Sequence, residues 1–451
     1  MELDIVGLVG ACSYALDCIE AELVHVTNRH GKRVAYISVC MAERLGIEGS
    51  ALQDLAVCAM LHDNALTQYI SEEIQENNIS NISLGGSTQG DKNTVVDSGG
   101  MSNESEAIIS ENGMAYSPEI IKSIVGSIHK KIGLHCTYGE QNIKKLPFYT
   151  DVSGAVLYHH ENADGTGTFG KRWDEIPLFA RIIHLCDMVD VMGNSCDFSG
   201  ESWIRAKEYV CRNRNILFDS ECADAFLEVF SEENFVSMSQ DRFEDELWKK
   251  IPRDKRDCDF ETCKGIADFF AGIVDYKSEF TGKHSLGVAK KAAELAEYMG
   301  YSQADIEKFY MAGALHDIGK MAIGNEILEK PGRLTDEEFS RMKNHAGYTY
   351  MILSEVKDFD EVRDWAALHH EKLDGTGYPF GKKAEELNEP ERLMACVDIY
   401  QALTEARPYK SGMSHDKACS ILEDMVQKGW IDAAVTDKLR SCFEVGGRDM
   451  V

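Results

Sequence analysis

The chain has 451 residues, with 47 Lys and Arg set against 76 Asp and Glu for a net charge of −29. At ~100–200 residues per domain that length implies two or three domains. A field of that sign repels the phosphates of DNA, RNA and anionic lipid, which excludes polymeric nucleic acid as a partner and leaves room for a small anion held by a few cationic groups in a cleft.

In chain order, the apolar run from Ile5 to Leu16 is bounded by Asp4 and Asp17. It is too short to span a bilayer and has no basic flank of the signal-peptide kind, so a soluble, cytoplasmic protein without membrane association is expected. The 14 cysteines are scattered and contain no C-x-x-C pair. Cys58, Cys186, Cys396 and Cys419 interrupt helical apolar patterns as reduced buried thiols do, and no metal or redox role is assigned to any cysteine.

The chain repeats itself. L-H-D-N-A at Leu61 returns as L-H-D-I-G-K at Leu315, and H-H-E-N-A-D-G-T-G from His159 returns as H-H-E-K-L-D-G-T-G from His369. His30 to His284 and His62 to His316 are each 254 residues apart, whereas His135 to His345 and His159 to His369 are each 210. The first copy therefore carries 44 extra residues between Asp63 and His135. That stretch includes Asn77 to Gly113, where 19 of 37 residues are Gly, Ser or Asn and none is aromatic. Such a composition buries too little apolar area to order itself, and a mobile loop near residues 71–115 is expected. The predicted organisation is a first copy over residues 1–200, a charged helical connector over 201–259 with periodicity around Ala225, Phe226, Val229 and Phe230, and a second copy over 260–451.

Helical signals dominate the second copy. Val288, Ala292, Leu295 and Met299 follow His284 at three- and four-residue steps, and Gly300 stands where a C-terminal glycine belongs. Thr335 and Glu338 form a capping box before Met342 and His345, and Pro390 suits the first turn of a helix carrying Leu393, Val397 and Asp398. Ser414 opens a further helix that closes near Gly429. No run alternates as a strand does, so the predicted fold class is all-α, one helical bundle per copy.

The repeated residues are the ones that carry chemistry. Ten of the 14 histidines fall into five matched pairs, His30/His284, His62/His316, His135/His345, His159/His369 and His160/His370. A lone histidine is most often structural, but His316-Asp317, His345, His369-His370 and Asp398 sit on four separate helices that a bundle can aim at one centre. Imidazole and carboxylate without thiolate suit iron, manganese, zinc, cobalt or nickel. Five imidazoles and two carboxylates exceed the positions of one ion, which points to two ions sharing a bridging Asp.

H-D-I-G-K at His316 to Lys320, H-H-E-K-L-D-G-T-G-Y-P at His369 to Pro379 and R-P-Y-K at Arg407 to Lys410 closely resemble the motifs of the HD-GYP family of metal-dependent cyclic dinucleotide phosphodiesterases, over about Cys258 to Gln427. The resemblance implies tandem HD-type bundles and metal ligation by His284, His316, Asp317, His345, His369, His370 and Asp398, with Asp317 as bridge. It further implies phosphate contacts by Lys320, Arg407 and Lys410, a centre of iron or manganese, and hydrolysis of cyclic di-GMP to pGpG or GMP by a metal-activated hydroxide. Asp317 and Lys320 are the expected catalytic residues. Gly375 and Gly377 allow backbone geometry that a side chain resists, and Pro379 stiffens the loop.

Two departures stand out. The family's third-metal glutamate would fall at Phe280, with Glu279 one residue out of step, which favours two ions. Gln401 replaces the more usual Asp three residues after the last ligand. In the first copy His30, His62, Asp63, His135, His159, His160 and Asp187 remain in register as a second, non-catalytic metal set. Its phosphate handling is lost, because Lys320 becomes Leu66, Tyr378-Pro379 becomes Thr168-Phe169, Arg407 becomes Cys196 and Lys410 becomes Ser199. Hydrolysis is therefore expected in the second copy alone, with the first accessory and its insertion able to cover its site. Two other readings remain, a phosphodiesterase for 3',3'-cyclic GMP-AMP or another nucleotide phosphate, and a non-catalytic dinucleotide-binding signalling protein. A homodimer or a signalling partner is compatible with either.

Overall fold

The computed structural model describes residues 1–23, 29–65, 132–194, 198–240, 242–253, 255–277, 284–328, 330, 332–406 and 411–445. The expected mobile loop, together with Leu66, Cys196, Glu279, Phe280, Arg407 and Lys410, lies outside the described residues.

The regular structure of the described residues is almost entirely helix, as the periodicity requires. One two-residue antiparallel pair, Glu2–Leu3 with Arg256–Asp257, escapes pattern reading because it is too short to alternate. Several helix starts follow from local chemistry. Ser302 accepts from Asp305 N to cap Gln303–Leu315, Thr335 and Glu338 close a capping box on Asp336–Ser354, and Asn388 with Glu391 does the same for Glu389–Thr404, with Pro390 in its first turn. His284–Tyr298 ends before Gly300 at φ 83°, and His415–Gln427 before Gly429 at φ 71°.

The chain forms two compact units whose limits differ from the predicted ones. The N-terminal unit comprises Leu23–Ile143 and Phe148–Pro252, and the C-terminal unit comprises Met1–Glu22, Lys144–Pro147 and Arg253–Val451. The opening helix Ile5–Leu23 stands 254 or 255 residues before Phe260–Lys277, yet nearly all of it is built into the C-terminal unit. There Asp4 is held by Arg253 through two hydrogen bonds of 2.9 and 2.6 Å.

The stretch 201–259 is likewise not a free connector. Its helices Gly200–Arg212, Ser220–Val229, Glu232–Ser237 and Arg242–Lys250 belong to the N-terminal unit. Tyr36, on His30–Ala42, packs with Phe230 at 5.9 Å and Phe243 at 5.8 Å, while Trp203 meets Phe226, Phe230 and Phe235. Burying those rings outweighs anything the surface charges suggest about a solvated linker. In the C-terminal unit Phe309 stacks on Trp365 at 4.4 Å, above a core that includes Phe269, Phe270, Leu315 and Leu393.

Candidate metal centre

Each proposed ligand of the C-terminal unit is set by a helix or its end. His284 opens His284–Tyr298, His316-Asp317 terminates Gln303–Leu315, His345 lies within Asp336–Ser354, His369-His370 follow Asp360–Ala367, and Asp398 lies within Glu389–Thr404. Three imidazoles are fixed the same way. Nδ1 of His316 donates to Gly313 O at 2.7 Å, that of His345 to Met342 O at 2.7 Å, and that of His369 to Ala366 O at 2.6 Å. A ring that donates through Nδ1 keeps its lone pair on Nε2.

Those lone pairs converge. Nε2 of His316, His345 and His369 and Oδ1 of Asp317 are buried without a hydrogen-bond partner. Unpartnered buried polar atoms cost about 1–3 kcal/mol each, so four facing one another mark a place built for something else. His316 Nε2 lies 3.2 Å from Asp317 Oδ2 and 3.7 Å from Asp398 Oδ1, and His345 Nε2 is 3.4 Å from Asp317 Oδ1. Two triads, His284/His316/Asp398 and His345/His369/His370, each hold three ligand atoms within 4.8 Å of one another, and His316/Asp317/His369 forms a third group that shares members with both. The donors fit divalent transition metals, and the two oxygens of Asp317 each face the Nε2 of a different imidazole, His316 and His345.

The protonation states agree. Burial, reinforced by His370 and His316, holds His369 well below the usual imidazole range, and burial puts His370 at about 3. Burial alone would raise Asp317, but His316 and Lys320 outweigh it and keep the carboxylate well below its ordinary value. Neutral imidazoles beside ionised carboxylates are what metal coordination needs. His284 differs. Burial lowers it, but Asp398 and Glu405 overcome that and raise it to about 10. Its Nε2 meets Asp398 Oδ1 at 3.0 Å and its Nδ1 meets Glu405 Oε2 at 3.1 Å, so a cation taken up at Nε2 would displace a proton there.

The Gly-Tyr-Pro loop is tied to this centre by a residue that sequence reasoning left without a role. Glu371, directly after His370, accepts from Phe380 N at 2.7 Å and from Gly381 N and Lys382 N at 3.0 Å. A Cβ on Gly377 would collide with backbone atoms of His370, Glu371 and Lys372, so only glycine allows the loop this approach. Lys320, expected to touch substrate alone, places Nζ 2.5 Å from Asp317 Oδ2.

The first copy repeats the plan. His135 Nε2 lies 2.8 Å and His159 Nε2 3.5 Å from Asp63 Oδ1, His30 Nε2 is 3.4 Å from Asp187 Oδ1, and His62 Nε2 is 3.5 Å from Asp63 Oδ2. His160 joins His135, Cys136 and His159 in one cluster, and His30, His62 and Asp63 form another. Glu161 takes the place of Glu371, accepting from Phe169 N at 2.7 Å and Lys171 N at 2.6 Å, so the loop shape survives although Thr168-Phe169 replaces Tyr378-Pro379. Ser199, opposite Lys410, caps a helix by accepting from Ser202 N.

Outside the ligand sets the copies part. His30 Nδ1 meets Asp190 Oδ2 at 2.7 Å, and Arg33 grips the same carboxylate with hydrogen bonds of 2.6 and 2.9 Å. The equivalent positions hold Gln401 and Gly287, and a Cβ on Gly287 would run into the Gln401 amide. Glu405 supports His284 instead. The Gln401 departure was the one sign of this exchange in the sequence. Glu405 left none, since its partner lies 121 residues away.

The family model described as HD domain matches residues 127–212 and 268–435. The chain is 32% identical over 313 residues to a 3'3'-cGAMP-specific phosphodiesterase 1 of Vibrio cholerae, covering 67% of this chain and 72% of the relative. It is 32% identical over 320 residues to a 3'3'-cGAMP-specific phosphodiesterase 3 of the same organism, covering 70% and 66% respectively. A cyclic di-GMP phosphodiesterase of that organism is 40% identical over 167 residues, 34% of each chain. A crystal structure of a cyclic GMP-AMP-specific phosphodiesterase from V. cholerae shares the fold at a TM-score of 0.63 and 23% identity, covering 99% of this chain and 98% of that one. Tandem all-α halves, a buried His and Asp centre and these matches together place the chain in the HD-domain family, in its HD-GYP branch of cyclic dinucleotide phosphodiesterases.

Proposed function

We propose that the C-terminal unit hydrolyses 3',3'-cyclic GMP-AMP with two divalent ions, iron or manganese, and that the N-terminal unit is accessory. The observation that carries the catalytic reading is the set of buried, unpartnered Nε2 and Oδ1 atoms on His316, His345, His369 and Asp317. The choice of cyclic GMP-AMP over cyclic di-GMP is supported by the relatives matched across about two-thirds of this chain, which carry that substrate in their names, whereas the cyclic di-GMP relative matches over about one-third.

In this reading His284, His316 and Asp398 would hold one ion and His345, His369 and His370 the other, with Asp317 placed among both groups. When bound, such ions supply neutralisation of the diester charge and acidity for an attacking water. The residues do the rest. Backbone carbonyls of Gly313, Met342 and Ala366 orient three imidazoles before substrate arrives, so no reorganisation is needed at the reacting centre. Lys320, beside Asp317, presents an ammonium to a non-bridging phosphate oxygen. Arg407 and Lys410 are assigned the second phosphate, where a planar guanidinium suits two oxygens at once. The Glu371 clamp holds the loop of Gly377 and Tyr378 against the His369-His370 segment.

Incubating anaerobically purified protein, loaded with Fe(II) or Mn(II), with each cyclic dinucleotide separately and resolving the products tests this. Faster turnover of cyclic GMP-AMP supports the assignment. Faster turnover of cyclic di-GMP returns the substrate to the one the sequence motifs imply, and no turnover of either leaves a non-catalytic binding role.

A further inference from the structure

Building on the reading that the first copy holds metal without hydrolysing, we propose that Cys136 is a thiolate ligand there, adding a sulfur donor to His135, His159 and His160 beside Asp63 and favouring zinc. In the second copy the matching cluster is His345, His369 and His370, three imidazoles with no sulfur among them. In the first copy the same three imidazoles recur with a sulfur added. Their ligand atoms, Cys136 Sγ included, lie within 4.8 Å of one another. Cys136 stands 210 residues before Ala346, so the second copy shows that the fold needs only a methyl group at this position.

Two independent features point to a ligand and away from a packed core thiol. His135 is buried with no hydrogen-bond partner on Nδ1, and His159 is buried with none on Nε2. Cys136 is itself fully buried, with Sγ 3.9 Å from His159 Nδ1, the nitrogen that donates to Val156 O at 2.5 Å and so leaves the His159 lone pair on Nε2.

The chemistry explains why such a site would be inert. Catalytic centres of this kind keep a coordination position open for water or substrate, whereas structural zinc sites fill all four with Cys and His. A thiolate in the fourth position also shifts preference toward softer ions than an imidazole and carboxylate set selects. Binding is a simple exchange, in which the Cys136 thiol loses its proton to solvent and the sulfur lone pair bonds the dication, with no electron transfer. The assignment revises the expectation that no cysteine of the chain serves a metal.

Anaerobic cobalt(II) titration of the full chain tests the proposal, because none of the C-terminal donors carries sulfur. A near-ultraviolet sulfur-to-cobalt charge-transfer band is expected, absent in Cys136→Ala, with metal at the first copy held at least about tenfold more weakly. The stoichiometry is read in a His316→Ala, Asp317→Ala background, where about one equivalent should remain and should fall further in His135→Ala. One equivalent without the band overturns the thiolate and leaves the metal-holding reading intact. No cobalt at all in that background, in protein whose circular dichroism is unchanged, overturns both. Should that background fail to fold, presence or loss of the band between the unaltered chain and Cys136→Ala still decides the question.

Discussion

The two copies share a ligand plan and differ in everything that would use it. Both set a His-Asp pair at a helix end, both bring further imidazoles from neighbouring helices, and both clamp the following loop with a glutamate, Glu371 in one and Glu161 in the other. Only the second retains the lysine beside its Asp and the Gly-Tyr-Pro sequence. Only the first supports its opening histidine with a buried Arg33–Asp190 pair. The lesson is that the arrangement of histidines and aspartates is shared between the copies while the residues around it are not; on the proposed reading, metal binding would contribute to folding of the first copy whether or not a substrate follows.

The comparison breaks most sharply at Asp317 and Asp63. Asp317→Ala should lower turnover of a cyclic dinucleotide by about 10³-fold or more, since several kcal/mol of charge stabilisation depend on it, while helicity by circular dichroism is unchanged. Asp63→Ala should leave most activity. The reverse pattern would assign hydrolysis to the N-terminal unit.

A structural contrast comes next. Arg33→Ala leaves the fully buried Asp190 without its cation and should destabilise the N-terminal unit by about 3–5 kcal/mol, visible as an early phase in thermal unfolding. Gln401→Ala removes an uncharged side chain and should cost far less. Equal losses would mean that the Arg33 clamp is ornamental to its copy.

Lys320→Ala should reduce kcat by about 10²-fold, as loss of one transition-state donor does, with metal content by elemental analysis unaltered. Parallel loss of metal would show that its pairing with Asp317 serves the centre before the substrate. The smallest effect is expected at Glu405. Removing the group that orients His284 should weaken metal affinity by about 10–100-fold in Glu405→Ala, with Glu405→Gln recovering part of it as an uncharged acceptor. Metal titration followed by enzyme-independent detection reads this directly, and unchanged affinity in both variants would leave His284 oriented by Asp398 alone.

Much of the site was legible because duplication wrote it twice. Matched offsets of 254 and 210 residues singled out His316, Asp317, His345, His369 and His370 from other histidines, and local capping chemistry at Thr335, Pro390 and Gly300 placed the helices that carry or support them. What stayed hidden was held by contacts without a local pattern. Glu405 matters through His284 and Asp190 through His30 and Arg33, and such distant pairings leave no period in the chain. The unit limits were misplaced for a related reason. The helices after Gly200 look solvated by charge, while their sparse aromatic residues, Trp203, Phe226, Phe230 and Phe243, find their partners only when the helices meet.

By itself the sequence determined an all-α tandem architecture and the inventory of repeated histidine and aspartate side chains, because helical periodicity, end caps and repeats are properties of neighbours along the chain. Tertiary structure alone decided which lone pairs remain unpartnered, which carboxylate steadies which imidazole, and which unit owns the first helix. Those outcomes depend on burial and on distances of a few ångströms between residues far apart in the chain, and both exist only once the helices have packed.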